Sequence, residues 1–190
     1  RNAANTLRET LGSIQSQTLT DFELIAVNDG SEDDTSNILH TYSINDKRIK
    51  VVDMVKAGII KALNHGPALS QSNFIARMDA DDLIHPKRLE MQLQHLQDNP
   101  GLSITSCLAQ PFPHNSYNKG FHRYVDWLNS LTTSLEIARD IFVESPVPHP
   151  SVMLRKEELQ SLGRYQDHGW AEDYDLWLRY FIAGKQIGKI

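Results

Sequence analysis

The chain has 190 residues, 40% apolar and 23% charged, which suits one globular domain with a sizeable core and excludes a disordered or fibrous segment. Nineteen basic against twenty-four acidic residues leave a net charge of -5, so a phosphate-bearing ligand must be met by local geometry or a metal, and nucleic acid is excluded as an expected partner. The single cysteine, Cys107, has no internal disulfide partner and sits in an apolar stretch where burial is expected, and no apolar run approaches the roughly 20 residues that span a bilayer.

Thr6 with Glu9 three residues later has the pattern of a capping box, and Leu7, Leu11 and Ile14 follow at helical spacing, predicting a helix over about residues 6–16. The run Phe22–Val27 predicts a largely buried strand that leads into the polar segment Asn28–Thr35. A helix near 34–43 with Ile38 and Leu39 inward, a strand at Ile49–Val52 and a helix from about Ile59 continue an alternating pattern, with Gly66-Pro67 expected to bend or split the third helix. Phe74–Met78 predicts a strand delivering Asp79-Ala80-Asp81-Asp82, and Pro86 suits the first turn of a helix carrying Leu89, Leu93 and Leu96. After Cys107 the segment Gln110–Asn118 is rich in turn residues, and one helix with Tyr124, Leu128, Leu131 and Leu135 is expected next. Ser151–Leu154 reads as a short strand, Gly163 as a break, and Ala171–Phe181 as a helix with Leu176 and Tyr180 on one face. Repeated strand, loop and helix units predict an α/β domain with a mostly parallel sheet, its ligand site beyond the strand carboxyl ends. The second part, from 108, is expected to cover the sheet's open edge.

Both ends read as cut, since the chain opens directly into a helix and closes on Gly184–Ile190, which looks like the start of another strand. With no signal-like N-terminus, a cytosolic-type domain is expected, with peripheral attachment at the inner face of the cell membrane left open.

Asp79, Asp81 and Asp82 put three carboxylates within four residues, a concentration that is costly unless a cation or hydrogen bonds offset it. A hard divalent ion, Mn2+ or Mg2+, is the economical explanation; an acidic surface turn is the competing one. Asp29-Gly30 ends the first strand, where a carboxylate can accept from a base or ribose, although an Asx-turn over Asn28-Asp29-Gly30 explains the segment almost as well. Arg77 is either a phosphate contact or a structural ion-pair partner of Asp79. Glu172 and Asp173, in the first turn of a helix, either serve its dipole or include a general base, with the dipole expected to favour the ionised form and lower the group's basicity. His149, ahead of the 151–154 strand, reads equally as a structural histidine or a ligand contact, and Trp170 offers a ring face for a sugar or acceptor group.

In order and spacing this set resembles the family 2 glycosyltransferases of the GT-A fold, in the branch that builds bacterial surface polysaccharides. Asn2–Leu7 through Ser13–Thr18 resembles the opening helix, Val27–Ser31 the nucleotide-binding loop, and Ala76–Asp82 with Pro86-Lys87-Arg88-Leu89 the metal-binding segment and its helix. His149–Met153 and Ala171–Trp177 are similar to the acceptor-side segment and the acidic pair that yields the base. The resemblance implies single-displacement inversion, with a nucleoside diphosphate sugar as donor, UDP-sugar favoured, and a hydroxyl of a glycan or lipid-linked acceptor. Asn28, Asp29, Arg77, Asp79 and Ala80 would bind the nucleotide sugar, Asp81 with Asp79 the metal, and His149 and Trp170 would stand on the acceptor side. Asp173 would act as base, with Glu172 its competitor. Residues 1–107 would form the nucleotide-sugar part and 108–190 the acceptor part of one domain. The strand expected before Asn2 is missing, the stretch Asp53–Gly58 is short, and the Gln-x-x-Arg-Trp signature of processive relatives is absent.

Three rivals remain. A dinucleotide-dependent oxidoreductase would share the alternating pattern, but no Gly-x-Gly-x-x-Gly follows a strand. A metal-dependent phosphoryl or nucleotidyl transferase would use clustered carboxylates equally well. A non-catalytic sugar-nucleotide-binding module would need no acidic pair at 172–173.

Overall fold

The computed structural model describes residues 1–113 and 118–190, so residues 114–117 of the expected turn-rich segment lie outside the described residues. Leu7, Leu11 and Ile14 are buried along α1 (Leu7–Gln15), as their spacing predicts. The capping box does not form. Thr6 instead donates its hydroxyl to the Ala3 and Ala80 carbonyls at 3.3 and 2.9 Å, a tertiary contact with the acidic loop that displaces the local cap.

β1 (Leu24–Asp29) pairs in parallel with β2 (Ile49–Met54) through the crossover helix α2 (Thr35–Asn45). Gly66-Pro67 does not split α3 (Ile59–Leu69): Pro67 lies two residues from its end and removes a single bond of the helical ladder. β3 is shorter than expected, Phe74–Ala76, and Arg77 stands at its exit, where its N–H donates to the Val152 carbonyl at 2.9 Å. Pro86 precedes α4 (Arg88–Asp98) rather than joining its first turn, because the Pro86 carbonyl is drawn to the Thr18 N–H at 2.9 Å.

After β4 (Leu102–Ser106) the expected single helix is two, α5 (Lys119–Ser130) and α6 (Ser134–Asp140). Thr133 and Glu136 form a reciprocal capping box that starts α6 afresh, and Leu135 is consequently 83% exposed instead of inward. His149–Ser151 is a 3-10 turn, so the following strand, β5, begins later, at Met153–Arg155, and leads into α7 (Lys156–Ser161), which the sequence pattern did not reveal. Gly163, at φ +85°, breaks the chain as expected. α8 (Glu172–Ile182) and β6 (Gln186–Lys189) follow, the latter being the strand that the last residues suggested.

β1 and β2 form one two-stranded sheet; the other has the order β3-β5-β4-β6. Parallel pairing holds for β1–β2 and β4–β6, while β5 runs antiparallel to β3 and β4, so the sheet is mixed. The cause is visible in the register: Met153 pairs with Ala76 and Thr105, so the chain returns to the end that β4 left and β5 runs back from there. Residues after 107 supply two strands of this sheet, the interior β5 and the edge strand β6, which pairs along β4. Just as important, this return sets His149 at the carboxyl ends of β3 and β4. Beneath it, Leu176, Trp177 and Tyr180 of α8 are fully buried against Ile104, Leu154 and Ile187.

Candidate active site

The acidic loop is held from below by α1. Thr10 donates its hydroxyl to the carbonyls of Ala80 and Asp82, both at 3.0 Å, and Thr6 adds its bond to Ala80. Asp79, Asp81 and Asp82 each offer one carboxylate oxygen within 4.8 Å of the other two. Burial and then the neighbouring charges of Asp79 and Asp81 push the Asp82 carboxyl upward, the expected consequence of like charges in one loop. Arg77 Nη1 donates to Asp79 Oδ2 at 2.6 Å, so the structural ion pair is present. Three hard oxygen donors with one adjacent cation form a set that fits Mn2+ or Mg2+.

At the end of β1, Asn28 accepts the Ser31 N–H on its side-chain oxygen at 3.2 Å, which realises the Asx-type turn, and donates to Asp53 Oδ1 at 2.7 Å. Asp29 turns the other way. Its two oxygens accept the Ala57 and Gly58 N–H groups at 2.6 and 3.0 Å, and the Ala57 amide above all holds the carboxyl below the usual range. Each oxygen keeps a second lone pair. Gly30 is needed between them: its φ is +62° and a Cβ there would meet Lys56 N at 2.8 Å. Asp29, Arg77, Asp79, Ala80 and Tyr165 are among the residues that line one cavity of about 1050 Å³, which also reaches Phe22, Glu23 and Ser72 at the amino ends of β1 and β3.

On the opposite side, His149 is 8% exposed and shares a 2.9 Å hydrogen bond between Nε2 and the Tyr165 hydroxyl. Burial pushes its imidazole down to about 3, so it is neutral, and the 3.8 Å approach of Nδ1 to Glu172 Oε1 is a polar contact rather than an ion pair. Asp173 begins α8 with Glu172, but burial outweighs the backbone bonds there and pushes its carboxyl upward, with Glu172 adding to the effect. The lowering expected from the helix dipole is thus reversed in net, because desolvation is the larger contribution. The charge of Arg77 is felt, as a smaller contribution than burial, at His149, Tyr165, Asp82 and Asp173. Trp170 is half exposed with its ring edge-on to Tyr174, centroids 5.8 Å apart.

Sequence reading passed over Tyr165. Its backbone N–H and carbonyl are both held by the Asn64 side chain, at 3.0 and 2.8 Å, and no local pattern links residues 101 positions apart. Among the described residues no helix is long and apolar enough to cross a membrane.

The chain matches a family model, glycosyl transferase family 2, over residues 1–163. It is 30% identical over 186 residues to the amylovoran biosynthesis glycosyltransferase AmsE of Erwinia amylovora, covering 97% of this chain and 67% of that protein. It is likewise 30% identical over 181 residues to the Escherichia coli UDP-Gal:alpha-D-GlcNAc-diphosphoundecaprenol beta-1,3-galactosyltransferase, covering 94% and 63%. Among solved structures, residues 1–349 of S. aureus TarS in complex with UDP-GlcNAc superpose with a TM-score of 0.79 at 20% identity, over 100% of this chain and 53% of that one. The mannosyltransferase PcManGT of Pyrobaculum calidifontis, in complex with GDP-Man and Mn2+, gives 0.73 at 16%, over 97% and 50%. The chain therefore spans between half and two thirds of the length of these relatives, and they share its fold. By the family match, the ordered motifs and the GT-A architecture together, it belongs to glycosyltransferase family 2.

Proposed function

We propose that the domain transfers one sugar, with inversion, from a UDP-sugar to a hydroxyl of a glycan or lipid-linked acceptor. What supports this reading is the presence of two acidic groups of different character: the clustered Asp79, Asp81 and Asp82 beyond β3, and the partly buried Asp173 beside Glu172, whose carboxylate approaches His149 at 3.8 Å. Asn28 and Asp29 would take the nucleoside, Asp79, Ala80 and Arg77 the ribose and diphosphate side, and Asp81 with Asp79 a divalent ion. Such an ion, when bound, supplies positive charge against the departing diphosphate, which a protein of net charge -5 otherwise lacks. Residues 1–107 would thus serve the donor and 108–190 the acceptor, with Trp170 and His149 as walls of the acceptor site.

Asp173 is the base in this scheme. The acceptor oxygen attacks the anomeric carbon from the face opposite the diphosphate, the bond to the diphosphate breaks, and the hydroxyl proton passes to the Asp173 carboxylate. Burial above all shifts its carboxyl upward, which makes it a better proton acceptor than an ordinary aspartate. Asp173→Asn should keep UDP affinity and lose about 10²–10⁴ in turnover. Glu172→Gln should lose far less. Near-normal turnover in Asp173→Asn, or release of inorganic phosphate or pyrophosphate in place of UDP by the wild type, would sink the proposal.

A further inference from the structure

We propose that Arg88 is a positioning residue that fixes the spacing between the acidic loop at 79–82 and the acceptor-side turn His149–Ser151; the inference rests on the glycosyl-transfer reading above. Arg88 opens α4 and is 6% exposed, yet it takes part in none of the ion pairs among the described residues. Its guanidinium donates from Nε to Gln92 Oε1 at 2.9 Å and from Nη2 to the carbonyls of Arg77 and Val152 at 2.9 and 3.4 Å. The Val152 carbonyl also accepts the Arg77 N–H at 2.9 Å, so the exit of β3 and the approach to β5 meet at one oxygen. Gln92 is fully buried and extends the tie, donating from Nε2 to the Ser151 carbonyl at 2.7 Å and the Thr105 carbonyl at 3.2 Å. Ser151 in turn donates its hydroxyl to the Pro148 carbonyl at 2.7 Å.

The guanidinium is buried with no carboxylate in ion-pair contact, only the longer-range charge of Asp82, and such burial is a poor route to stability, since a packed apolar side chain avoids the desolvation altogether. What the planar fork supplies is direction: from α4, where it also holds Gln92, it engages carbonyls on two other segments, Arg77 and Val152, in a fixed geometry that neither an apolar residue nor the rotatable ammonium of a lysine provides. Those segments are the ones that matter to the chemistry. Two residues beyond Arg77 lies Asp79, and two residues before Ser151 lies His149, which faces Glu172. The distance from the donor carboxylates to the acceptor side is therefore set through this buried cation, and misplacement of reacting groups by about 1 Å can cost on the order of 10² in rate.

Two variants test it. Arg88→Lys keeps the charge and loses the fork; Gln92→Met leaves Arg88 in place and cuts the tie to Ser151 and Thr105. Calorimetry with UDP and Mn2+ should give wild-type stoichiometry and a Kd within a few-fold in both. Hydrolysis of the UDP-sugar by water, which needs no aligned acceptor, should be unchanged, while transfer to the acceptor falls by about 10–100-fold at unaltered KM. Unaltered transfer overturns the proposal, and so does a loss of UDP stoichiometry or of hydrolysis in proportion to transfer, because each marks a merely structural role. If the wild type transfers no sugar from any UDP-sugar tried, the glycosyl-transfer reading fails and hydrogen exchange decides the clamp. Joint loss of protection at 77–82 and 148–152 in Arg88→Lys, with other segments intact, upholds it, and unchanged protection there overturns it.

Discussion

His149 shows how burial converts a residue's chemistry. An imidazole with an ordinary pKa of 6.5 is held neutral, down to about 3, because the space between Tyr165 and Trp177 cannot solvate its charge. Its folded pKa lies below its unfolded one, so the unfolded chain takes up the proton first, and stability present above pH 6.5 is lost as pH falls towards 3. One such group contributes a slope of up to about 1.4 kcal/mol per pH unit. We expect urea unfolding between pH 7 and 5 to be measurably less pH-dependent in His149→Gln than in the wild type; parallel curves would show that the imidazole does not titrate in this way. Asp173 is shifted the other way by the same force, so the acid limb of kcat/KM should lie above the ordinary aspartate pKa. A pH–rate profile with its acid limb at or below that value would contradict the assignment.

Among the elements, α6 depends most on local chemistry. It has only seven residues, and the Thr133–Glu136 box satisfies N–H groups that would otherwise lack partners. Thr133→Ala should cost about 1 kcal/mol, within the 0.5–2 kcal/mol seen for lost N-caps, with an unchanged denaturant slope. The contrast with α1 is instructive. Thr6 carries the same motif but spends its hydroxyl on Ala80, so the same substitution there should disturb the acidic loop rather than the helix. α4 combines both functions, with Leu96 fully buried against the sheet and Arg88 and Gln92 in the polar clamp. Leu96→Ala should cost about 2–5 kcal/mol, read from the unfolding midpoint, and a loss under 1 kcal/mol would mean that the site collapses easily.

For the molecule as a whole, metal and nucleotide should bind as one coupled event. The three carboxylates of the 79–82 loop repel one another and an incoming diphosphate alike, so UDP affinity should fall at least tenfold when Mn2+ is chelated. Asp81→Asn should weaken the response to Mn2+ in the same titration. Calorimetric UDP binding that ignores both chelator and substitution would remove the metal from the scheme.

Much of this was legible in the residue order. Apolar runs at 22–27 and 74–78 ended in acidic loops at strand carboxyl ends, and leucine spacing marked α1, α4 and α8, because burial of one face imposes a period that a sequence carries openly. Asp29, Asp79 and Asp81 could be singled out because carboxylates at such ends need a physical reason, and Glu172 and Asp173 as an acidic pair in the first turn of a helix. Other features depended on partners distant in the chain. The antiparallel course of β5, the neutral state of His149, the clamp of Asn64 on Tyr165 and the second use of Thr6 each join residues tens of positions apart. Periodicity determined which residues turn inward and which loops carry charge. Only the tertiary structure decided which of those groups meet and which way Asp173 shifts, since hydrogen bonds and desolvation depend on neighbours in space rather than along the chain.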